Sequence, residues 1–267
     1  MATLTNTTNS TTLNDALGGP SLTTSDIIRL DRPGESYSTN LTSLDATQVA
    51  EFIAAPAFMG DLGSGTTPLI VQADDMWIMS SSPNQISLGG IGSGTVDLMH
   101  IELQTAAAVN LSGYTITKLR VLASGMVTIT DSMVVTDLNI GGSAVPVVIA
   151  PGTAITNLRA AGRGNSVDLG RDCTNVFLHA GASLTCTDDT ATPAVVVCHD
   201  SSIQLLGGTI TITCGGGNTV IDLSKATANC TITWSILGDV TIKRPPEGIT
   251  MNEPTDAQIL SGRVRLI

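Results

Sequence analysis

The chain has 267 residues, of which 42% are hydrophobic, only 3% aromatic and 13% charged. So few charges and rings argue against a helical bundle and favour an all-β, repetitive architecture with an aliphatic core. The formal net charge of -11 argues against nucleic acids and anionic membranes as partners, because both attract Lys and Arg.

The N-terminal segment, residues 1–24, is rich in Thr, Asn and Ser. It cannot bury enough apolar surface to order itself, so we predict a flexible arm that orders on a partner. It has no basic start and no apolar stretch, so we expect neither a signal peptide nor a membrane helix. In a reducing cytosol, free and buried thiols are then expected for all five cysteines. These are Cys173, Cys186, Cys198, Cys214 and Cys230.

A cap region with one strand and one helix is predicted over residues 25–72. Ser25–Leu30 is expected to form the strand. The helix is predicted over residues 46–55, with Asp45 as its N-cap, Gln48 completing a capping box and a proline ending it. We expect this helix to cover the open end of the domain that follows.

That domain is predicted from a repeat of the pattern apolar, Thr, polar, apolar, any, apolar. Five copies follow one another at steps of 18, 19, 20 and 18 residues, and two looser copies come after them. The copies are Leu98–Leu103, Ile116–Val121, Val135–Ile140, Ile155–Ala160 and Cys173–Leu178, then Asp200–Leu205 and Thr231–Ile236. Because neither Asn-Gly hairpins nor ten-residue helical patterns separate the copies, we predict a single-stranded parallel β-helix over residues 73–242. The variable step favours a right-handed coil, of about seven or eight short rungs.

Within each copy the last three positions are expected to point in, out and in. The inward set is Leu119, Leu138, Leu158 and Val176, followed by Val121, Ile140, Ala160 and Leu178. The outward set is Arg120, Asn139, Arg159 and Phe177. The polar third position is predicted to be a corner in the left-handed conformation, and it holds Lys118, Asp137, Asn157 and Asn175.

A second short strand is predicted after the glycine that follows each copy. These strands are Met126–Ile129, Val145–Ile149, Val167–Leu169 and Leu184–Cys186. Pro245 and Pro246 are expected to end the coil. In the remaining C-terminal cap, residues 243–267, the alternating Arg263–Ile267 is expected to pair with a sheet edge of this or another subunit.

Carboxylate pairs are the first candidates for chemistry. Asp74-Asp75 and Asp188-Asp189 are neighbours in sequence, and such neighbours on a strand point to opposite faces. Glycosidic cleavage needs two carboxylates across a groove, which a β-helix would supply from matching positions of adjacent rungs. Because no acidic pair stacks in the aligned repeat, we expect no catalytic residues.

The histidines and glycine-rich loops give no further site. His100, His179 and His199 fall at different offsets in their rungs, so we do not expect them to converge on a metal. Gly89–Gly94 lacks the lysine of a nucleotide loop and is interpreted as a turn, as is Gly215–Asn218. We therefore expect no enzyme, no cofactor and no metal.

The Thr/Asn-rich start, the small capping helix and the irregular rungs of Val, Ile and Thr resemble bacteriophage virion proteins. Two kinds of virion protein share these features: trimeric capsid cement (decoration) proteins, and trimeric tailspikes or fibres. The short chain and the lack of a visible acidic cleft favour the cement kind. A bacterial adhesin is a third interpretation, which the missing export signal disfavours.

The resemblance implies a structural homotrimer on the outer capsid surface of the virion, assembled in the host cytoplasm. Its arm would contact the major capsid protein and stabilise the shell, and its trimer would bury Phe177 and part of the C-terminal strand. The alternative, a tailspike or fibre that binds or cleaves host surface glycans, predicts a stacked acidic or aromatic groove.

Overall fold

The structure is a computed structural model in which most strands alternate along the chain between two parallel sheets. It describes residues 3–5, 24–30, 49–54, 56, 58–64, 67–80, 83–92, 94–122, 125–130, 132–142, 146–170, 173–187 and 192–267. Together the sheets form an all-β solenoid of about ten turns. This confirms the predicted parallel β-helix, with a few more rungs than the expected seven or eight. Its right-handed winding stays a prediction.

The described residues form 23 strands and one 3-10 turn, Asp256–Gln258. The first sheet contains β1 (Thr3–Thr5), β2 (Ile27–Leu30), β3 (Val49–Ala54), β5 (Ala73–Ser80), β7 (Val96–Leu103), β9 (Thr115–Leu122), β11 (Val134–Gly141), β13 (Ala154–Ala161), β15 (Cys173–His179), β17 (Val195–His199), β19 (Gly208–Cys214) and β21 (Cys230–Ile236). The second sheet contains β4 (Leu69–Ile70), β6 (Gln85–Gly89), β8 (Ala108–Ser112), β10 (Val127–Ile129), β12 (Pro146–Ile149), β14 (Ser166–Leu169), β16 (Ser183–Cys186), β18 (Ser202–Gln204), β20 (Asn218–Asp222), β22 (Asp239–Lys243) and β23 (Val264–Leu266). The second short strand predicted for each rung is thereby confirmed.

The chain divides into two compact units, an N-terminal unit (Met1–Asn139) and a C-terminal unit (Ile140–Ile267). Each has an interior built from columns of buried side chains in register on successive strands. In the N-terminal unit one column is Ile28, Phe52, Met76, Met99 and Leu119. In the C-terminal unit the matching column is Leu158, Val176, Val196, Ile212 and Trp234. All eight side chains that the repeat assigned to the interior are buried. Burial of each Val, Leu or Ile among them contributes about 1.5–3 kcal/mol to folding.

The polar third position of the repeat is a bend inside the strand. Ile155 and Leu158 are both buried, while Thr156 between them is exposed and Asn157 is half-buried. Two outward residues in a row therefore reset the alternation, and the repeat threonine points outward. Here the prediction of a left-handed corner was wrong, since none of the four polar residues has a positive φ. Instead, Asn175 donates a hydrogen bond to Asn157 Oδ1 on the preceding strand, at 2.8 Å.

Two copies of the repeat were aligned wrongly. Val96, and not Leu98, pairs with Ile116. Ile101 and Leu103 are inward in both alignments, but the predicted alignment put half-buried Leu98 in the place of buried Val96. The looser copy Asp200–Leu205 contains β18 of the second sheet, whereas the rung after β15 is β17.

The predicted helix over residues 46–55 is wrong where the structure describes it, because Val49–Ala54 is β3, paired in parallel with β2 and β5. Val49 and Phe52 are buried three residues apart, since each strand bends between such positions. This spacing imitates one face of a helix. The coil therefore already includes β2, the expected strand at Ser25–Leu30, and does not begin at residue 73.

Two terminal predictions can be compared with the structure. Thr3–Thr5 of the N-terminal arm forms β1, paired in parallel with β2. The other residues of the arm up to residue 23, and Asp45 and Gln48, lie outside the described residues. At the C-terminus β22 ends at Lys243, before the two prolines, and β23 pairs with β22 of its own chain. The prediction that the prolines end the coil was wrong, because β23 and the parallel bridges of Met251 and Ile259 to the preceding rung add a further turn. No helix among the described ranges is long and apolar enough to span a membrane.

Candidate functional site

The N-terminal unit has four carboxylates on the outward side of three successive strands. Glu51 on β3 is in register with Asp75 on β5, and adjacent strands are about 4.8 Å apart. Asp75 pairs with Leu98 on β7. The residues before these two, Asp74 and Asp97, therefore lie at matching positions on adjacent strands. We call Glu51, Asp74, Asp75 and Asp97 the acidic cluster.

The acidic cluster corrects two sequence-based expectations. Asp74 and Asp75 are both half-buried and both lie at the bend between inward Ala73 and Met76, so they do not point to opposite faces. An acidic pair on adjacent rungs does exist. It was missed because Glu51 was placed in a helix, and only the strand β3 brings it beside Asp75. Asp188 and Asp189 lie outside the described residues.

Beside the acidic cluster an aromatic pair lies on the same outward side. Trp77 on β5 is in register with His100 on β7, and their ring centroids are 5.3 Å apart with the planes tilted by 37°. His100 Nε2 is 3.2 Å from Glu102 Oε2, and the next strand places Arg120 in register with His100. The imidazole is only 6% exposed, so these neighbours hold its orientation.

A shallow groove of about 140 Å3 runs next to this pair. Its lining residues are Pro56, Met79, Ser80, Glu102 and Gln104. Ser80 Oγ donates a buried hydrogen bond of 2.6 Å to the Phe58 carbonyl, which anchors the groove floor. An indole, an amide and carboxylates on one face can bind a hydroxyl-rich ligand by stacking and hydrogen bonding.

The outward side of the first sheet in the C-terminal unit has a different character. One register column runs Arg159, Phe177, Val197, Thr213 and Ser235. A second column runs Asn157, Asn175, Val195, Thr211 and Thr233. We call these ten residues the neutral face, because only Arg159 is charged, and its guanidinium lies 5.0 Å from the centroid of the Phe177 ring. Phe177 and Arg159 lie outward, as predicted.

At the end of these strands two histidines stack. His179 on β15 is in register with His199 on β17, and their ring centroids are 5.5 Å apart with an interplanar angle of 21°. The expectation that they occupy different offsets was wrong, because the true rung after β15 had not been recognised. A Cβ on Gly215 would lie 2.6 Å from His199 Cδ2, so that glycine makes room for the ring.

The remaining candidates are structural. In the described part of the chain, no group of three or more His, Cys, Asp or Glu side chains is placed to hold a metal ion. Gly215–Gly217 joins β19 to β20, and the glycines after Gly89 join β6 to β7, so both are turns as predicted.

All five cysteines are free and buried, as predicted. Burial raises the pKa of the Cys173, Cys198 and Cys214 thiols to about 12. Burial also raises the pKa of Tyr114, whose hydroxyl donates to the Val71 carbonyl at 2.9 Å. Neutral, buried groups of this kind pack the interior and are poor nucleophiles.

Comparison with protein-family models, with curated proteins and with solved structures finds no match to the chain. The geometry of the two outward faces is therefore the basis for the function proposed below.

Proposed function

We propose that the protein is a structural bacteriophage virion protein, a cement or decoration protein that binds the outer capsid surface as a homotrimer and stabilises the shell. The neutral face is the observation that carries this proposal. It presents half-buried Phe177, Val195 and Val197 on a sheet surface with one charged side chain. Interface cores are depleted of charge and enriched in aromatic residues, so this surface suits packing against another copy.

In this proposal three copies pack through their neutral faces around a closed three-fold axis. The N-terminal arm, residues 1–24, contacts the major capsid protein. Its strand β1 stays paired with β2 of its own chain, and the rest of the arm adds strands to the capsid protein. Contacts that exist only on the assembled shell stabilise that shell by mass action, with no chemical step.

The trimer is tested by light scattering on the purified full chain. We expect a trimer for the natural sequence and monomers for Phe177→Glu/Val197→Glu, because buried unpaired carboxylates would oppose association. Val148→Glu/Val220→Glu is the matched control, since both valines are half-buried and outward on the second sheet. A monomeric natural protein would disprove the homotrimer.

Capsid binding is tested with purified capsids of the virus that encodes the chain. We expect the full chain to bind and to raise the temperature at which the capsids disassemble. We expect deletion of residues 1–24 to abolish binding while the circular dichroism spectrum stays that of a β protein. Equal binding by the truncated protein would disprove the role of the arm.

A second function, glycan binding or cleavage by a tailspike or fibre, is favoured by one specific observation. The acidic cluster and the aromatic pair lie on one outward side of the N-terminal unit, and adjacent strands bring Glu51 beside Asp75. Retaining glycosidases place two carboxyl groups about 5–5.5 Å apart.

This second function predicts binding of host surface polysaccharide, and loss of that binding in Trp77→Ala. Release of reducing ends, abolished in Glu51→Gln/Asp75→Asn, would indicate cleavage. If the full chain neither binds nor cleaves the polysaccharide, the glycan hypothesis is wrong while the cement hypothesis stands.

A further inference from the structure

We propose that the C-terminal edge strand β23 is a docking site for an extended acidic segment of a partner protein, which adds to the second sheet as one more strand. This inference does not depend on the cement proposal, because it concerns another surface and any partner with the stated chemistry.

The solenoid interior is open at β23. Val264 and Leu266 are in register with Val240 and Ile242 of β22, whose side chains are buried at 2% and 0% exposure. Val264 and Leu266 continue those inward columns but are only half-buried. Nearby Leu260 is 62% exposed. A solenoid buries each rung against the next, and no further strand among the described residues covers the outer side of β23.

The backbone of β23 is hydrogen-bonded on one side only. The Arg263 carbonyl accepts from Val240 N–H at 2.8 Å, and Ile267 N–H donates to the Ile242 carbonyl at 3.0 Å. Bonding residues alternate along a parallel strand, so the N–H and C=O groups of Val264 and Leu266 face away from β22. β23 is the outermost strand of the second sheet. Its free side is therefore a template for strand addition.

Basic side chains cluster beside that edge. Four of the twelve Lys and Arg residues lie at positions 243, 244, 263 and 265. Lys243 is bound to Asp222 at 2.8 Å and Arg244 to Glu253 at 2.7 Å. In the described residues, Arg263 and Arg265 form no ion pair, and both are exposed.

Arg263 and Arg265 lie two residues apart on one side of the strand, where they line a hollow of about 260 Å3 with Thr241. The Asp239 carboxylate at this hollow accepts the backbone N–H of Arg263 at 3.0 Å. The two guanidinium groups outnumber it, so the hollow has a net positive charge.

These features select the occupant. An incoming strand with alternating apolar and acidic residues would cover Val264 and Leu266 with its apolar side and pair its carboxylates with Arg263 and Arg265. A second copy paired through β23 is disfavoured, because antiparallel self-pairing puts arginines opposite or diagonal to arginines in every register that matches the apolar sides.

The test uses the full chain and two short synthetic peptides, blocked at both ends, that alternate Val with Glu or Val with Lys. We expect fluorescence anisotropy to show the Glu peptide binding roughly tenfold tighter than the Lys peptide, and this difference to shrink in high salt. In Arg263→Glu/Arg265→Glu we expect the preference to reverse. Lys118→Glu/Lys225→Glu is the matched control: it changes the net charge equally at two exposed residues that belong to neither β22 nor β23, and should bind as the natural chain does.

Hydrogen exchange gives a second readout on the natural chain. We expect the amides of Val264 and Leu266 to exchange quickly alone and to be protected by the Glu peptide. Equal binding of both peptides, unchanged preference in the Arg263→Glu/Arg265→Glu variant, or binding without this protection would overturn the proposal. A dimer whose Val264 and Leu266 amides are already protected would also overturn it and would assign the edge to a second copy.

Discussion

The outward sides of the two units differ sharply, although their interiors are alike. At the third repeat position the N-terminal unit stacks Glu51 beside Asp75, whereas the C-terminal unit stacks Asn157 beside Asn175 with a hydrogen bond of 2.8 Å. The N-terminal unit adds an aromatic pair, and the C-terminal unit has a single charge on its neutral face. Inward positions must fill a shared core, while outward positions can be adapted to different partners.

The largest expected effect tests the equivalence of the two interiors. Phe52→Ala in the N-terminal unit and Trp234→Ala in the C-terminal unit should each lower the free energy of unfolding by about 3–5 kcal/mol, because each opens a cavity in a buried column. Phe177→Ala, on the outward side, is the control and should cost about 1 kcal/mol or less in a monomeric background. Urea unfolding followed by circular dichroism measures all three. A cost for Phe177→Ala equal to that of Phe52→Ala would refute the inward and outward assignment.

The next effect concerns the thiols, all of which lie in the C-terminal unit. The pKa of the Cys173, Cys198 and Cys214 thiols is raised from 9.0 to about 12, so the folded state holds these protons more tightly than the unfolded chain. Stability is therefore full below pH 9 and falls as the pH rises from about 9 to 12. At pH 10 the loss should be roughly 1 kcal/mol per thiol.

Unfolding of the natural chain between pH 7 and 10 measures this loss. Cys198→Ala/Cys214→Ala should show a shallower pH dependence, whatever its stability at pH 7. An identical slope in both proteins would show that the thiols do not cause the loss.

The smallest effect sharpens the contrast between the stacked pairs. Asp75→Asn should raise the free energy of unfolding by about 0.2–1 kcal/mol, because it removes a like charge beside Glu51. Asn175→Asp should lower it by about 1 kcal/mol, because the carboxylate cannot donate to Asn157 Oδ1. Both are measured by urea unfolding at low salt, and the gain in Asp75→Asn should shrink in high salt. A destabilising Asp75→Asn would mean that the acidic stack is held by a favourable contact.

Two local features of the strands led to wrong predictions from the sequence. A bend that places two outward residues in a row makes Val49 and Phe52 look like one face of a helix, and the resulting assignment hid Glu51 from the acidic cluster. A period of two also allows the slip between Leu98 and Val96, because Ile101 and Leu103 stay inward in both alignments. The local sequence pattern cannot reveal the strand assignment or the register, because each depends on which strand pairs with the segment.

The sequence by itself determined that the chain coils into parallel rungs. Its aliphatic pattern recurs without hairpin or helix signals between the copies, and stacked rungs bury such a pattern in a continuous interior. It also identified the inward columns, the outward Phe177 and the buried thiols. The repeat already placed Ile155 beside Cys173, but tertiary structure decided which rungs are neighbours where the repeat is loose or absent. Pairing between strands more than twenty residues apart brings together Glu51 and Asp75, or Trp77 and His100, and leaves β23 with a free edge. Register across strands depends on loop lengths and bends, which leave no periodic signal in the sequence.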